Sequence, residues 1–316
     1  MINFTRMRRP FTLIWMVVFL VSCGALQAQD LAPRAYFITP LHSNAVTVTY
    51  GYYSGTPVFN GAAPITGATG NYSVPVISLY HSFGLAGHSA NVTGSLPYAV
   101  GTFQGEAIGV NEQIYRSGLL DTTFRLAVNL MGGPAMQVSE FATWQEKALL
   151  GVSVKVVAPT GQYDPTKLVN WGSNRWSFKP EVGYSRRRRH MVLDGYAGVW
   201  LFAKNEQGYS PTGPQPQTEN PIYSFEGHLS YDVKPRLWVS LDGNFWLGGL
   251  AELNGVDNPA TRQTSSRVGI TGSWPLGRFK HHSIKVSYSN YVYARFGANY
   301  QSVSAAWQYS WFGRPQ

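Results

Sequence analysis

The chain has 316 residues, of which only 13% are charged and 14% are aromatic, and it carries a formal charge of +9. That balance is unusual for a soluble enzyme. Without Arg6, Arg8 and Arg9 the basic surplus falls to 22 residues against 16, too dispersed for a nucleic-acid surface. The single cysteine, Cys23, excludes an internal disulfide and any cysteine-based metal site.

Residues 1–28 read as a signal peptide, with Arg6, Arg8 and Arg9 before the apolar run Phe11 to Val21, which is too short to span a bilayer. Two cleavage points compete. Leu26-Gln27-Ala28 suits ordinary signal peptidase, whereas Leu20-Val21-Ser22-Cys23 resembles a lipobox that would leave Cys23 lipidated. Residues 29–43 form an N-terminal segment expected in the periplasm, and 44–316 the body of the protein.

The body divides into about twelve stretches of roughly ten residues, the length a tilted membrane strand needs. They are Asn44 to Tyr53, Tyr72 to Phe83, Ala90 to Ala99, Leu119 to Leu130, Ala148 to Val157 and Ser177 to Ser185. Met191 to Ala203, Ile222 to Asp232, Leu237 to Leu247, Ser266 to Trp274, His282 to Phe296 and Gln301 to Phe312 complete the set. A long loop is expected between Ala99 and Leu119, and one helical turn near Phe141. Long and short connections alternate along the chain with few exceptions. Bacterial barrels with short periplasmic turns and long outer loops show this asymmetry. The fold class is therefore all-β, a transmembrane antiparallel up-and-down β-barrel of about twelve strands in a Gram-negative outer membrane.

Strand phase assigns the two faces. Tyr223, Phe225, Leu229 and Tyr231 share one face of their strand, while Glu226, His228 and Ser230 share the other. The same sorting sends Asp121, Arg125, Lys155, Lys179, Glu181, Asp194, Asp242, Arg267 and Lys285 inward. Arg or Lys facing lipid at the midplane costs about 2–4 kcal/mol, so the whole set is expected to line the lumen. Its mixed signs suit either mutual pairing that holds the lumen closed or a constriction that selects a solute. Tyr291 and Tyr293 are expected in the outer aromatic belt, and Arg186 to His190 in a solvated turn. The pair His228-x-Ser230 also matches an arrangement found in outer-membrane phospholipase A. There the pair faces the membrane; here the phase turns it inward, which argues against a lipase. No other catalytic or metal-ligand spacing stands out, so neither an enzyme nor a cofactor is expected.

The long loop between Val157 and Ser177 carries a specific motif. Gly161-Gln162-Tyr163-Asp164-Pro165, then Leu168-Val169-Asn170, then Asn174-Arg175-Trp176-Ser177-Phe178-Lys179-Pro180-Glu181, resembles the MetA-pathway of phenol degradation family, as do Leu31-Ala32-Pro33-Arg34-Ala35-Tyr36, Ile222-Tyr223-Ser224 with Gly227-His228, and Ala306-Trp307-Gln308-Tyr309. The resemblance covers nearly the whole mature chain. It implies an outer-membrane barrel, transporter-like, for small hydrophobic or aromatic solutes; the alternative is a structural or surface barrel with a closed lumen. The partners implied are outer-membrane lipids, such a solute, and the barrel-assembly machinery, whose recognition signal the ending Trp311-Phe312 resembles. No nucleic acid is expected.

Overall fold

The computed structural model describes residues 32–58, 65–107, 109–210, 212–277 and 281–313; the signal segment and Cys23 lie outside them. The wall consists of β1 (Ser43–Gly55), β2 (Ile65–Leu85), β3 (His88–Ala107), β4 (Val110–Leu119), β5 (Thr122–Met131), β6 (Ala148–Ala158), β7 (Ser177–Arg188) and β8 (Met191–Phe202). Between β5 and β6 lies a single helical turn, α1 (Val138–Phe141), where the sequence suggests one. Two short strands follow β8, namely β9 (Asn205–Gly208) and β10 (Gln215–Glu219). The wall resumes with β11 (Ile222–Lys234) and β12 (Leu237–Gly248). After β13 (Ala251–Leu253) and β14 (Val256–Asn258), it is completed by β15 (Gln263–Leu276), β16 (His282–Ala294) and β17 (Tyr300–Phe312).

Consecutive wall strands pair antiparallel, and β1 pairs with both β2 and β17, so the sheet closes on itself. Closure leaves no sheet edge for the hydrocarbon to meet. β4 and β5 are two halves of one stave. β3 pairs with β4 along Tyr98 to Ala107 and with β5 along Ala90 to Ser95. Counted so, the barrel has twelve staves, as the alternation predicts.

The faces sort as phase requires. Leu241, Leu79, Leu193 and Ile77 are exposed at 55–62%, and other large apolar side chains extend this belt around the outside. Lipid is the only medium in which that surface is at rest. Inside, Ser224, His228, Ser230 and Asp194 are almost completely buried. At one end the strands turn tightly, as at Ala86–Gly87 and Arg189–His190. This end holds both ends of the sheet and is periplasmic by the general rule for such barrels. At the other end β9, β10, β13 and β14 form a separate small sheet over the mouth.

Three expectations need correction. Arg186 to Arg188 are not turn: β7 runs on to Arg188, Arg187 pairs with Asp232, and only Arg189 and His190 make the turn. The stretch between Ala99 and Leu119 is not a long loop: β2, β3 and β4 continue upward as a ribbon, with β3 and β4 paired as far as Ala107 and Val110. Tyr291 is not in the outer belt. It faces inward, 8% exposed, with its ring 6.0 Å from that of Trp246. A bulge in the β15–β16 pairing, where Ser266 meets Tyr293 but Arg267 meets Tyr291, leaves Tyr293 alone outside.

Candidate functional site

The lumen is filled in layers. The periplasmic layer is built by the chain before β1, whose described residues 32–42 enter the barrel as a strap. Tyr36 is the strap's anchor. It is fully buried; its hydroxyl lies 3.0 Å from Ser153 Oγ and donates to Glu181 Oε1 at 2.9 Å. The Arg125 guanidinium sits 4.8 Å above the ring, and Tyr196 meets it edge-on at 5.2 Å. The seat is made by two glycines paired across β6 and β7, Gly151 and Gly183. A Cβ on either would fall 2.2 or 2.1 Å from a ring carbon of Tyr36. The neighbours of Tyr36 are tied in as well. Arg34 forms an ion pair with Asp232 at 2.6 Å, its backbone N–H donates to Asp194, and Ala35 N–H donates to the Tyr196 hydroxyl at 3.0 Å.

Above the strap lies a buried charge network. Lys179 Nζ is 2.7 Å from Glu181 and 2.8 Å from Glu226. His228 places Nδ1 2.9 Å from Asp242 and Nε2 3.6 Å from Glu226, and Thr271 donates to the other Asp242 oxygen at 2.7 Å. These groups belong to β7, β11, β12 and β15, so the network spans five neighbouring staves, bridging β8 on the way. Buried charges are tolerated only when paired and hydrogen-bonded, and here each acid has a cation or donor within reach. His228 and Ser230 both face this interior, away from lipid.

The other inward candidates take different places. Lys155 lies 5.7 Å from the Trp200 ring, and Arg267 stacks near Trp246 and Tyr291 at 5.4 and 5.7 Å. Lys285 is solvent-accessible, but it borders the inner cavities above and below the strap, so its exposure is to the lumen. Asp121 has a distinct task. Its carboxylate accepts Gly161 N–H at 2.9 Å, Ser173 N–H at 2.8 Å and Ser173 Oγ at 2.5 Å, and so latches the β6–β7 loop onto the barrel.

That loop carries most of the family-motif residues, and their contacts are chiefly architectural. Gly161 and Gly172 cross so closely that a Cβ on either would lie 2.7 Å from the other residue. The Asp164 carboxylate accepts from Thr166 and pairs with Lys167 at 2.8 Å. These contacts, with Lys167 foremost, hold its carboxyl below the usual range. The turn opened by Asp164-Pro165 closes through Asn170, which donates to the Asp164 and Lys167 carbonyls. Tyr163 bonds to β9 through the Gln207 carbonyl at 2.7 Å, and Asn174 bonds to Asn205 at 2.8 Å. Arg175 pairs with Glu219 on β10 and lies 4.4 Å over the Phe202 ring. Trp176 and Phe178 stack on the outer face, and Pro180 falls in a gap in the β7–β8 pairing. Lys179 and Glu181 turn into the charge network.

The latched loop roofs a chamber of about 280 Å³ against the inner face of the β2–β3–β4 ribbon. Ile65, Ala68, Tyr72, Phe103, Ala107 and Ile114 line it with Leu168, Val169 and Tyr300. Its floor is an aromatic layer in which Tyr72 contacts Trp171 at 5.7 Å, Tyr300 at 5.2 Å and Phe103 at 6.1 Å. Beside it the wall is thinly bonded. The stave breaks at Leu120 and Asp121, where Leu120 N–H donates to the Pro97 carbonyl of β3 at 3.1 Å; Pro97, and Pro75 one strand further on in β2, have no N–H to give.

Comparison with known proteins adds to this picture. Residues 45–305 match the sequence profile of the family described as "Putative MetA-pathway of phenol degradation". Among solved structures the chain resembles the COG4313 outer membrane channel from Pseudomonas putida F1, at 15% identity and a TM-score of 0.73, over 89% of this chain and 100% of that one. It also resembles the transport unit of the autotransporter AIDA-I from Escherichia coli, at 10% identity and a TM-score of 0.49, over 92% of this chain and 95% of that one. At 15% identity the likeness to the channel is one of fold. No curated protein matches the chain in sequence.

Proposed function

From the premise that this chain belongs to the MetA-pathway phenol degradation family, we propose that it admits small uncharged aromatic compounds across the outer membrane through the chamber at its outer mouth. The observation that carries this reading is the chamber itself. An apolar cavity of about 150 Å³ takes up benzene, so about 280 Å³ holds a substituted single ring. Its walls are apolar and aromatic, with Gln104, Glu112 and Arg116 among the few polar groups bordering it, the composition expected of a small-molecule site. Straight passage down the axis meets the strap and the charge network. A solute held in the chamber has a shorter way out through the thinly bonded wall at Leu120 and Asp121, into the hydrocarbon. The reaction is physical: apolar surface moves from water to chamber to lipid, at about 25 cal/mol per Å² transferred.

The test fills the chamber. Ile114→Trp adds bulk opposite Phe103, its partner across β3 and β4. It should abolish toluene binding to the detergent-solubilised protein and toluene uptake in cells or proteoliposomes, while the barrel still folds. The competing reading, a structural barrel without transport, is favoured by the buried strap. It prevails if the unaltered protein neither binds toluene nor speeds its uptake.

A further inference from the structure

Below the strap the barrel opens into a vestibule of about 1070 Å³ at the periplasmic end. Its charges do not balance. Asp232 is engaged by Arg34 and Arg187, and Glu146 lies 3.6 Å from Arg187, so the bordering carboxylates are already in use. Lys147, Arg189, Arg236 and Lys285 border the same space, with no ion pair to a carboxylate among the described residues. They come from four separate connections and strands, yet converge on one cavity. A concave rim of one sign concentrates field lines and raises the local concentration of counter-ions.

The rest of the wall is aromatic. Trp238, Phe37, Phe141 and Trp144 line the vestibule. Trp238 and Phe37 are stiffened by the Arg34 guanidinium, 4.6 and 5.0 Å from their rings. A ligand suited to this surface has a flat apolar body and one negative end. The body stacks or packs edge-on against the rings, and the end takes charge-assisted hydrogen bonds from Arg236 or Lys285.

We propose that the periplasmic vestibule is a binding site for aromatic monocarboxylates, with Arg236 and Lys285 receiving the carboxylate and Trp238 and Phe37 the ring. This is a second site, of a different ligand class from the outer chamber, and it does not depend on the chamber's role. The strap lies between the two and forms part of the vestibule roof. Anionic lipid is a poor rival, because the vestibule is walled by inward-facing residues and acyl chains cannot follow a headgroup into it.

Titration calorimetry on the full-length barrel in neutral detergent at low salt tests the proposal. The probes are benzoate, benzamide, acetate and inorganic phosphate. Benzoate should bind at least tenfold more tightly than the uncharged ring or either ringless anion, and added salt should weaken it. Arg236→Gln with Lys285→Gln should weaken benzoate tenfold or more and leave benzamide unchanged. Ile114→Trp, which closes the outer chamber, should leave benzoate binding intact. Equal affinity for benzoate and acetate or phosphate would reduce the site to a counter-ion cloud and overturn the proposal. So would loss of benzoate binding in Ile114→Trp, which would place the ligand in the outer chamber. If the double substitution prevents assembly, the single Arg236→Gln, in an exposed turn, carries the same expectation and the same power to refute.

Discussion

Replacing Gly183 by alanine should unseat the strap and open the lumen. The new methyl would fall 2.1 Å from Cε2 and 2.4 Å from Cδ2 of Tyr36. Backbone cannot yield there, because Gly183 is paired with Gly151 on β6 and with Tyr196 on β8. The ring must therefore leave. Loss of a fully buried aromatic side chain costs about 3–5 kcal/mol. Within that sum, the hydrogen bond to the Glu181 carboxylate is worth about 1.5–3 kcal/mol and the edge-on pair with Tyr196 about 0.5–1.5 kcal/mol. Such a loss multiplies the unseated population by two to three and a half powers of ten, at about 1.4 kcal/mol each. Arg34 and Ala35 remain as anchors, so the strap is loosened and not expelled. Single-channel recording in planar bilayers reads the effect directly. Wild type should open rarely, Gly183→Ala and Tyr36→Ala often. Gly183→Ala should add little in the Tyr36→Ala background, because both act through one contact. Gly227→Ala, where an added Cβ meets nothing within 4 Å, is the control. A folded Gly183→Ala barrel that stays as closed as wild type would refute the reasoning, as would full additivity with Tyr36→Ala.

Two further outcomes follow from the wall and the periplasmic connection. Leu241→Arg, at a side chain 62% exposed on the lipid face, should cost about 2–4 kcal/mol in unfolding from lipid vesicles. Ser283→Arg, whose side chain borders the periplasmic vestibule, should cost much less; the reverse order would mean that the faces are misassigned. Burial raises the Glu146 carboxyl from its ordinary 4.5 to about 7, against the pull of Arg187 and Arg34 and with the help of Asp194. A carboxyl that holds its proton more tightly when folded adds stability below pH 4.5 and loses it as pH rises through about 7. Glu146→Gln should therefore gain on wild type across that window, by about 2–3 kcal/mol at most. Urea titrations at pH 5 and 8 check it, and an unchanged gap between the two proteins would count against a Glu146 carboxyl raised by burial.

The wall was legible because lipid imposes a simple rule at every second residue. Phe225, Leu229 and Tyr231 could sit on only one side, and Glu226, His228 and Ser230 on only the other. A rule that strong survives without knowledge of any partner strand. It lapses above the bilayer, where both faces meet water. That is why the upper halves of β2, β3 and β4, with polar residues such as Asn71, Thr102, Gln104 and Gln113 throughout, read as loop. Tyr291 was legible and misread. Its phase with Lys285 already turned it inward, and the bulge beside it moved only Tyr293 out.

The site was less legible, because alternation says that a residue points inward and not what meets it there. Lys179 reaches Glu226 by crossing a whole strand, and it can do so because Gly198 on the intervening β8 has no side chain: a Cβ there would lie 2.9 Å from Lys179 Cε. Gly151 and Gly183 make room for Tyr36 in the same way, and Gly161 and Gly172 for each other. In each case the residue that shapes the contact is one that contributes no side-chain atoms, and hydropathy gives such a residue no direction. Asp121 shows the converse. Its charge on an inward phase marked it for the lumen, but its neighbour in space is a loop forty residues further on, drawn in by three donors that composition cannot locate. The motif in that loop therefore marks a chamber by building its roof. Within the motif, the residues that line the chamber are Leu168, Val169 and Asn170, its middle segment, whose side chains carry no charge.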